Sequence, residues 1–346
     1  MAVRISTNER LNLISNLSTM LAAGISLLDT IESLMEESKS GAKKILTTLH
    51  EDVSQGKKIA ESLRKYPESF DIVTTNLIEA SEEAGTLDTT LADLTKTIKR
   101  EIEFSEKIKS ALMYPALVMV VFVVILTIIL TMVIPKIADV FLKLRVPLPL
   151  PTRVLIWLSN FVTQNTLALG VGIVVGIILF IVFYRTQKKR MLRALFRLPG
   201  LSTLALEIDI TRFARSMALL LNSGLPILNA IELSQQVAVK KEMVDVIADS
   251  HKAVSAGKTF SDSFKKNKNM PRMVVRMLQA GEKTGTLAKS MQDLAEYFDG
   301  LVSSRIKALT TLLEPVLLIF IAVFIGGMML SIIAPIYSLI GQINVR

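Results

Sequence analysis

The sequence repeats itself at a spacing of 200 residues, and this duplication constrains the fold more than any other feature. The fragment EEAGTL at Glu82–Leu87 returns as EKTGTL at Glu282–Leu287. The match extends along both halves, with one residue of slippage where His50 aligns with His251. Further aligned pairs are Gly24 with Gly224, Leu28 with Leu228, Gly56 with Gly257, Leu94 with Leu294, Pro115 with Pro315, and Pro135 with Pro335. The repeated unit is therefore a polar domain followed by a long apolar segment.

Three uncharged runs are long enough to cross a bilayer, which takes about 20 apolar residues. They occupy residues 110–135, 154–184 and 315–345. Hydrophobic residues make up 51% of the chain and the mean hydropathy is +0.47, which is high for a soluble protein. The sequence predicts an all-α membrane protein with tandem duplicated cytoplasmic helical bundles and three transmembrane helices.

The positive residues that flank these runs predict the orientation in the membrane. The first 20 residues contain no secretory signal, so the N-terminus is expected in the cytoplasm and the C-terminus on the other side. A basic cluster follows the second run and is also expected to contact anionic lipid. Its members are Arg185, Lys188, Lys189, Arg190 and Arg193.

The domain prediction follows from the repeat and the runs. The predicted segments are a first cytoplasmic bundle at 1–112, transmembrane helix 1 at 113–135, a non-cytoplasmic loop at 136–160, transmembrane helix 2 at 161–184, a second cytoplasmic bundle at 185–312, and transmembrane helix 3 with a short non-cytoplasmic tail at 313–346.

Local signals inside each bundle predict about six helices. Ser6 and Glu9 form a capping-box pattern at the first helix. Ser26 and its counterpart Pro226 are expected to start the second helix, and Ser40 to cap the third.

The repeated fragment predicts a corner between two helices. Gly85 and Gly285 suit the left-handed position that stops a helix, and Thr86 and Thr286 can cap the next one. The following helix starts an apolar seam at Leu87 and Leu287. It has no breaker before the first proline, so it is predicted to run into the membrane as a rod of about 39 Å. A simple structural corner and a direct contact site both remain open.

The sequence shows no constellation typical of an active site. The two histidines stand alone, and metal sites need three or four ligands. The chain has no cysteine, no phosphate-binding loop and no dinucleotide fingerprint. The dense carboxylates are interpreted as a solvated face; they include Glu82, Glu83, Asp88 and Asp93. We therefore expect no enzyme, cofactor or metal.

The interiors of the membrane runs contain no Asp, Glu, Lys, Arg or His, which argues against a transporter acting alone. Glycines that would allow close helix packing are Gly172, Gly176, Gly326 and Gly327. Glu314 stands where the first copy has Tyr114. It is interpreted either as a first-turn acid favoured by the helix dipole or as a polar contact in an oligomer.

The two predicted bundles differ in charge. Residues 1–112 contain 14 basic against 18 acidic residues, whereas residues 185–312 contain 21 against 11. No nucleic-acid-binding motif accompanies the basic charge, so we expect no nucleic-acid partner.

Taken together, these features resemble the inner-membrane platform proteins of type II secretion and type IV pilus machines, the secretion-system F family. The resemblance is carried by the two GTL corners, by KIKSALMYP at 107–115, by Pro135 and by LEP at 313–315. The matching family positions are Gly85, Thr86, Leu87, Gly285, Thr286, Leu287, Tyr114, Pro115, Glu314, Pro315, Pro135 and Pro335.

The resemblance implies a non-enzymatic assembly platform in the inner membrane. Its implied partners are a cytoplasmic hexameric ATPase, pilins or pseudopilins, other inner-membrane assembly proteins and further copies of itself. The charge difference suggests that one bundle faces the ATPase while the other packs against partners or its own copy. The alternatives are a membrane subunit of an ATPase-driven transporter and a membrane-tethered signalling scaffold.

Overall fold

The computed structural model describes residues 3–144, 150–164 and 201–343, and every regular element in these ranges is helical. The chain divides into two compact units. The first unit is Met1–Lys107 with Arg193–Ser304, and the second is Ile108–Leu192 with Arg305–Arg346. The all-helical fold class is thus confirmed for the described residues.

The helices follow the duplication of the sequence. In chain order they are α1 (Thr7–Ala22), α2 (Leu27–Glu37), α3 (Ser40–Ser54), α4 (Ile59–Arg64), α5 (Ile72–Ala84), α6 (Leu87–Ile128), α7 (Ile134–Leu144), α8 (Leu150–Gln164), α9 (Leu201–Asn222), α10 (Ile227–Gln235), α11 (Lys241–Ser255), α12 (Phe260–Lys266), α13 (Arg272–Thr284) and α14 (Leu287–Ile343). Helices α1–α6 and α9–α14 are the two copies, six helices each as predicted.

Helix ends in the first copy follow local chemistry. Ser6 Oγ accepts a hydrogen bond from Glu9 N at 3.2 Å, and the Glu9 carboxylate accepts one from Ser6 N at 2.7 Å, so the capping box is confirmed. Ser26 caps α2 as predicted. The predicted cap at Ser40 is wrong by one residue, because α3 already includes Ser40 and Lys39 takes the cap position.

Both bundles of the first unit have hydrophobic cores built at equivalent positions. The first uses aliphatic residues there, and the second uses Phe213, Phe260 and Phe264, whose ring centroids lie 5.2–6.4 Å apart. Burying each of these rings contributes about 2–3 kcal/mol. The two bundles also contact each other, because α5 packs against α10 and Arg100 Nη2 lies 3.3 Å from Glu296 Oε1.

The second unit contains the apolar runs. Two helical stretches of the described chain, Leu87–Val140 and Leu287–Ile333, are long and apolar enough to cross a membrane. Only 17% and 11% of their most apolar windows is buried in the protein, so these side chains face outward. This pattern is expected of helices solvated by lipid. The predicted helix at 161–184 lies mostly outside the described residues.

Helix α6 continues through Pro115 and gives way to a π-helical segment at Ile129–Val133 before α7. The segment predicted as a non-cytoplasmic loop, 136–160, includes most of α7 and the larger part of α8. The predicted domain boundaries and the sides of the membrane stay predictions.

Candidate functional site

The repeated corner has the same backbone geometry in both copies. Gly85 and Gly285 have φ of 67° and 69°, in the left-handed region where a residue with a Cβ is strained. Thr86 N donates to Ser81 O at 2.9 Å across the first corner. The Thr86 carbonyl accepts from Thr90 N at 3.1 Å, which makes it the first acceptor of α6. The glycine thus ends one helix and the threonine opens the next.

The first glutamate of the motif links the corner to a distant helix. The Glu82 carboxylate accepts hydrogen bonds from Ile59 N at 2.8 Å and Ala60 N at 3.1 Å. These are the first N–H groups of α4, which have no partner inside their own helix. The interpretation of Glu82 as part of a solvated face is therefore wrong, because its carboxylate lies at the N-terminus of α4.

The second corner repeats this link. Glu282 accepts from Phe260 N at 2.5 Å, from Ser261 N at 3.3 Å and from Ser261 Oγ at 2.8 Å. The occurrence of glutamate at both corners was the sequence signal for this role. The repeated fragment therefore holds three helices together in each bundle.

A buried acid at Asp209 gives the second bundle another cap. Its carboxylate accepts from Val239 N at 2.9 Å and from Lys240 N at 2.6 Å, at the start of α11. Burial raises the pKa of this carboxyl above its ordinary value. No sequence pattern pointed to it, because its partners lie 30 residues away.

The first bundle contains a buried carboxylate clamp around Asp52. Its side chain is only 6% exposed and accepts from Lys57 Nζ at 2.7 Å, from Lys65 Nζ and from Ser62 Oγ at 2.8 Å. The hydrogen bonds from Lys57, then from Lys65 and Ser62, hold the pKa of Asp52 well below its usual range. The aligned position in the second bundle is Ala253, so the clamp exists in one copy only.

This difference belongs to a wider contrast between two equivalent hairpins. The first hairpin, residues 57–83, pairs each of its cations with a carboxylate. The second hairpin, residues 258–283, has seven exposed cations with no side-chain ion pair or hydrogen bond to the described residues. They are Lys258, Lys265, Lys266, Lys268, Arg272, Arg276 and Lys283. The second hairpin is thus an uncompensated basic surface.

In the second unit, repeat-equivalent residues of α6 and α14 lie against each other. Tyr114 Oη donates to Glu314 Oε1 at 3.3 Å. The Phe122 ring meets the rings of Phe320 and Phe324 edge-on, with centroids 6.0 and 5.5 Å apart. The two apolar helices therefore run side by side in matched register.

The interpretation of Glu314 as a first-turn acid is wrong. Helix α14 begins at Leu287 and continues through Pro315, so Glu314 lies far from the helix N-terminus and its dipole. Pro115 likewise lies inside α6. The prolines near the start of the apolar runs therefore do not start new helices.

The second pair of repeated prolines leaves carbonyl groups that α8 satisfies. Pro335 has no N–H, so the carbonyl of Ser331, four residues earlier, loses its helical donor. Thr152 Oγ1 donates to this carbonyl at 2.5 Å, and the Thr152 side chain is buried.

The same replacement occurs at the first copy. Leu130 lies five residues before Pro135, inside the π-helical segment, where its carbonyl would accept from the missing proline N–H. The buried Ser159 Oγ donates to the Leu130 carbonyl instead. Helix α8 therefore supplies one hydroxyl to each proline-containing helix.

The remaining predicted residues take no part in a shared site. His50 Nε2 lies 2.9 Å from Glu32 Oε1, and the described ranges contain no group of three possible metal ligands. A Cβ at Gly326 or Gly327 would meet nothing within 4 Å, so these glycines make no close helix contact here. The basic cluster 185–193 and the glycines at 172 and 176 lie outside the described residues.

A sequence profile comparison matches this arrangement to one family. The profile described as type II secretion system (T2SS), protein F matches residues 13–135 and again residues 213–335. The chain belongs to the type II secretion system protein F family. Both matched intervals end at the repeated proline, so the protein F unit comprises a bundle together with its apolar helix, and the resemblance inferred from the sequence is confirmed.

Curated relatives of the protein F family match nearly the whole chain. The type IV pilus assembly protein PilC of Thermus thermophilus is 30% identical, over 95% of this chain and 82% of that protein. The PilC of Myxococcus xanthus is 28% identical, over 94% and 79% respectively. The type II secretion system protein F of Pseudomonas aeruginosa is 27% identical, over 93% and 80%.

Proposed function

We propose that this protein is the non-enzymatic inner-membrane platform of a type IV pilus or type II secretion machine. It couples a cytoplasmic hexameric ATPase to the extraction of pilins or pseudopilins from the membrane and to their polymerisation. The names of the relatives support the type of machine. The proposal concerns a role in coupling, and it requires no active site in this chain.

The observation that carries the proposal is the continuity of α6 and α14. Each helix contributes to the core of its bundle and then continues, without a break, into an apolar stretch long enough to span a bilayer. An α-helix resists bending over this length, so displacement of a bundle would be transmitted along it. A platform that passes ATPase motion to membrane-embedded subunits needs such an element.

The proposed topology places both bundles in the cytoplasm and the C-terminus on the opposite side. The positive flanks of the apolar runs support it, because basic residues are retained on the cytoplasmic side. Reporter fusions at positions near 50 and 250 provide the test. Cytoplasmic signals from both are expected, and signals from opposite sides would contradict the platform.

The coupling role predicts that helix continuity matters more than side-chain identity in α6. Residues 103–106 (EFSE) are mainly exposed and precede the apolar run. Replacing all four by glycine costs about 1 kcal/mol of helix stability per residue relative to alanine. We expect the glycine variant to insert in the membrane and retain its partners, but to lose pilus assembly or secretion.

The matched control replaces the same four residues by alanine, which preserves the helix while removing the same side chains. Co-purification from membranes, with mass measurement of the bound proteins, shows whether the ATPase is still attached. Equal loss of assembly in both variants would contradict coupling through the helix. Full assembly in the glycine variant would contradict it as well.

A further inference from the structure

The contact between the two bundles is not repeated symmetrically within the chain. Helix α5 of the first bundle packs against α10 of the second. By the 200-residue repeat, α13 corresponds to α5, and α2 corresponds to α10. In the described part of the chain, α13 and α2 do not pack on each other to a comparable extent. One α13 surface and one α2 surface are therefore less covered than their repeat equivalents on α5 and α10.

The open surface of α13 is basic. Arg272, Arg276 and Lys283 recur at helical spacing and so share one face. All three are exposed and form no side-chain ion pair with the residues that the structure describes. Met273 beside them is 41% exposed. The face thus offers unpaired guanidinium and ammonium groups next to an apolar side chain.

The open surface of α2 is acidic. Asp29, Glu32 and Glu36 are exposed and lie on one face, and α2 contains no basic residue. Leu28 beside them is 36% exposed. The two helices have 11 and 13 residues and are therefore of similar length, about 16 and 20 Å. The α2 and α13 faces are complementary in charge and comparable in size.

We propose that α13 of one copy docks on α2 of a second copy of this chain. The contact repeats between chains the α5–α10 packing that occurs within one chain. Opposed charges fix its register, and the exposed apolar side chains on both helices are buried. The inference rests on the proposed platform role in one respect, namely that the platform is a homo-oligomer.

The proposed contact joins two different surfaces, so after one contact the first copy keeps its α2 free and the second copy keeps its α13 free. Copies inserted in one membrane with the same orientation are related by an axis perpendicular to it. A two-fold dimer results if two copies make both contacts reciprocally, and a larger ring results if each copy docks on two different neighbours. An acidic surface of the ATPase and an anionic lipid headgroup are the other possible occupants of α13.

The absence of cysteine from the chain allows a direct test in the full-length protein. Two copies with different tags are co-expressed, one carrying Glu36→Cys and the other Arg276→Cys, and membranes are treated with a short bis-maleimide. We expect a cross-linked species that contains both tags. Membranes in which both copies carry the same cysteine are the controls, and they are expected to cross-link weakly.

Charge reversal provides the second test. The double variant Arg272→Glu with Arg276→Glu is expected to raise the dissociation constant of the purified oligomer on the order of tenfold at low salt, because like charges would then face each other. Adding Glu32→Lys with Glu36→Lys is expected to restore association. This rescue separates a loss of contact from a loss of folding.

The matched control, Lys241→Glu with Lys252→Glu, changes the net charge equally at exposed sites on α11 and should leave association unchanged. Absence of the mixed cross-link in a persisting oligomer would overturn the proposal. The proposal would also be overturned if the Arg272→Glu, Arg276→Glu variant remained oligomeric but no longer bound the ATPase or anionic vesicles. The cross-link and the dissociation constant report on association between copies and require neither pilin nor ATPase turnover. A failure of the proposed platform role would therefore leave these two results unchanged.

Discussion

Gly281 lies at a close approach between α13 and α14, and adding a single methyl group there should loosen the second corner. A Cβ built on Gly281 would lie 2.4 Å from Ser290 Oγ, 2.7 Å from Ser290 Cβ and 3.1 Å from Leu287 Cα. Ordinary carbon contacts need about 3.5–4.0 Å. Gly281→Ala therefore forces the two helices apart by roughly 1 Å.

Two opposing contributions determine the size of the effect. Overpacking of this kind costs about 1–3 kcal/mol. Alanine is favoured over glycine inside a helix by about 1 kcal/mol. Gly300→Ala is the matched control, because Gly300 is also helical and a Cβ there would meet nothing within 4 Å. We expect Gly281→Ala to destabilise the bundle by up to about 2 kcal/mol and Gly300→Ala to stabilise it by about 0.5–1 kcal/mol.

Hydrogen exchange of α13 and the start of α14, measured on the detergent-solubilised full chain, reports the local effect. The difference between the two variants, about 0.5–3 kcal/mol, corresponds to a shift in thermal midpoint of roughly 1–12 °C. Adding Ser290→Gly removes the two shortest contacts and should abolish the cost of Gly281→Ala relative to Ser290→Gly alone. A Gly281→Ala variant as stable as Gly300→Ala would refute the steric reasoning.

Two further predictions concern the carboxylates. Glu282→Ala is expected to expose the first amides of α12 to exchange, at a cost of about 2 kcal/mol, because it removes the carboxylate that accepts from two backbone N–H groups. Unchanged protection would contradict the cap. Asp52→Asn should destabilise the first bundle at neutral pH. Because the folded pKa of Asp52 is depressed, the loss of unfolding free energy relative to wild type should be fully present above about pH 4 and should shrink on acidification. Denaturation measured from pH 7 to 2 provides the test, and a loss that grows in acid would contradict the depressed pKa.

Features governed by neighbouring residues could be predicted from the sequence. The capping box at Ser6, the left-handed Gly85 and the start of α2 all depend on chemistry within a few positions. The path of α6 through Pro115 was predictable only up to the proline. A proline inside a long apolar helix is tolerated because neighbouring groups can satisfy the freed backbone, and those groups come from elsewhere in the chain.

The candidate sites depend on residues far apart in the sequence. Glu82 acts on amides 22 and 23 positions away, and Tyr114 meets a residue 200 positions away. Periodicity reports which face is apolar, but not which carboxylate points at a helix end. The two copies differ at this level too, because the position of Asp52 in the first copy is occupied by Ala253 in the second.

The hydroxyl bonds from α8 limit the ways in which the apolar helices can move. Thr152 donates to the carbonyl four residues before Pro335, and Ser159 donates to the carbonyl five residues before Pro135. A slide of either helix by one turn, about 5.4 Å, would strand a carbonyl in an apolar medium, at a cost of roughly 1–3 kcal/mol or more. Tilting or swivelling about these two points leaves both bonds intact. We therefore expect the two proline-containing helices to tilt about these hydroxyl contacts rather than to slide along their axes.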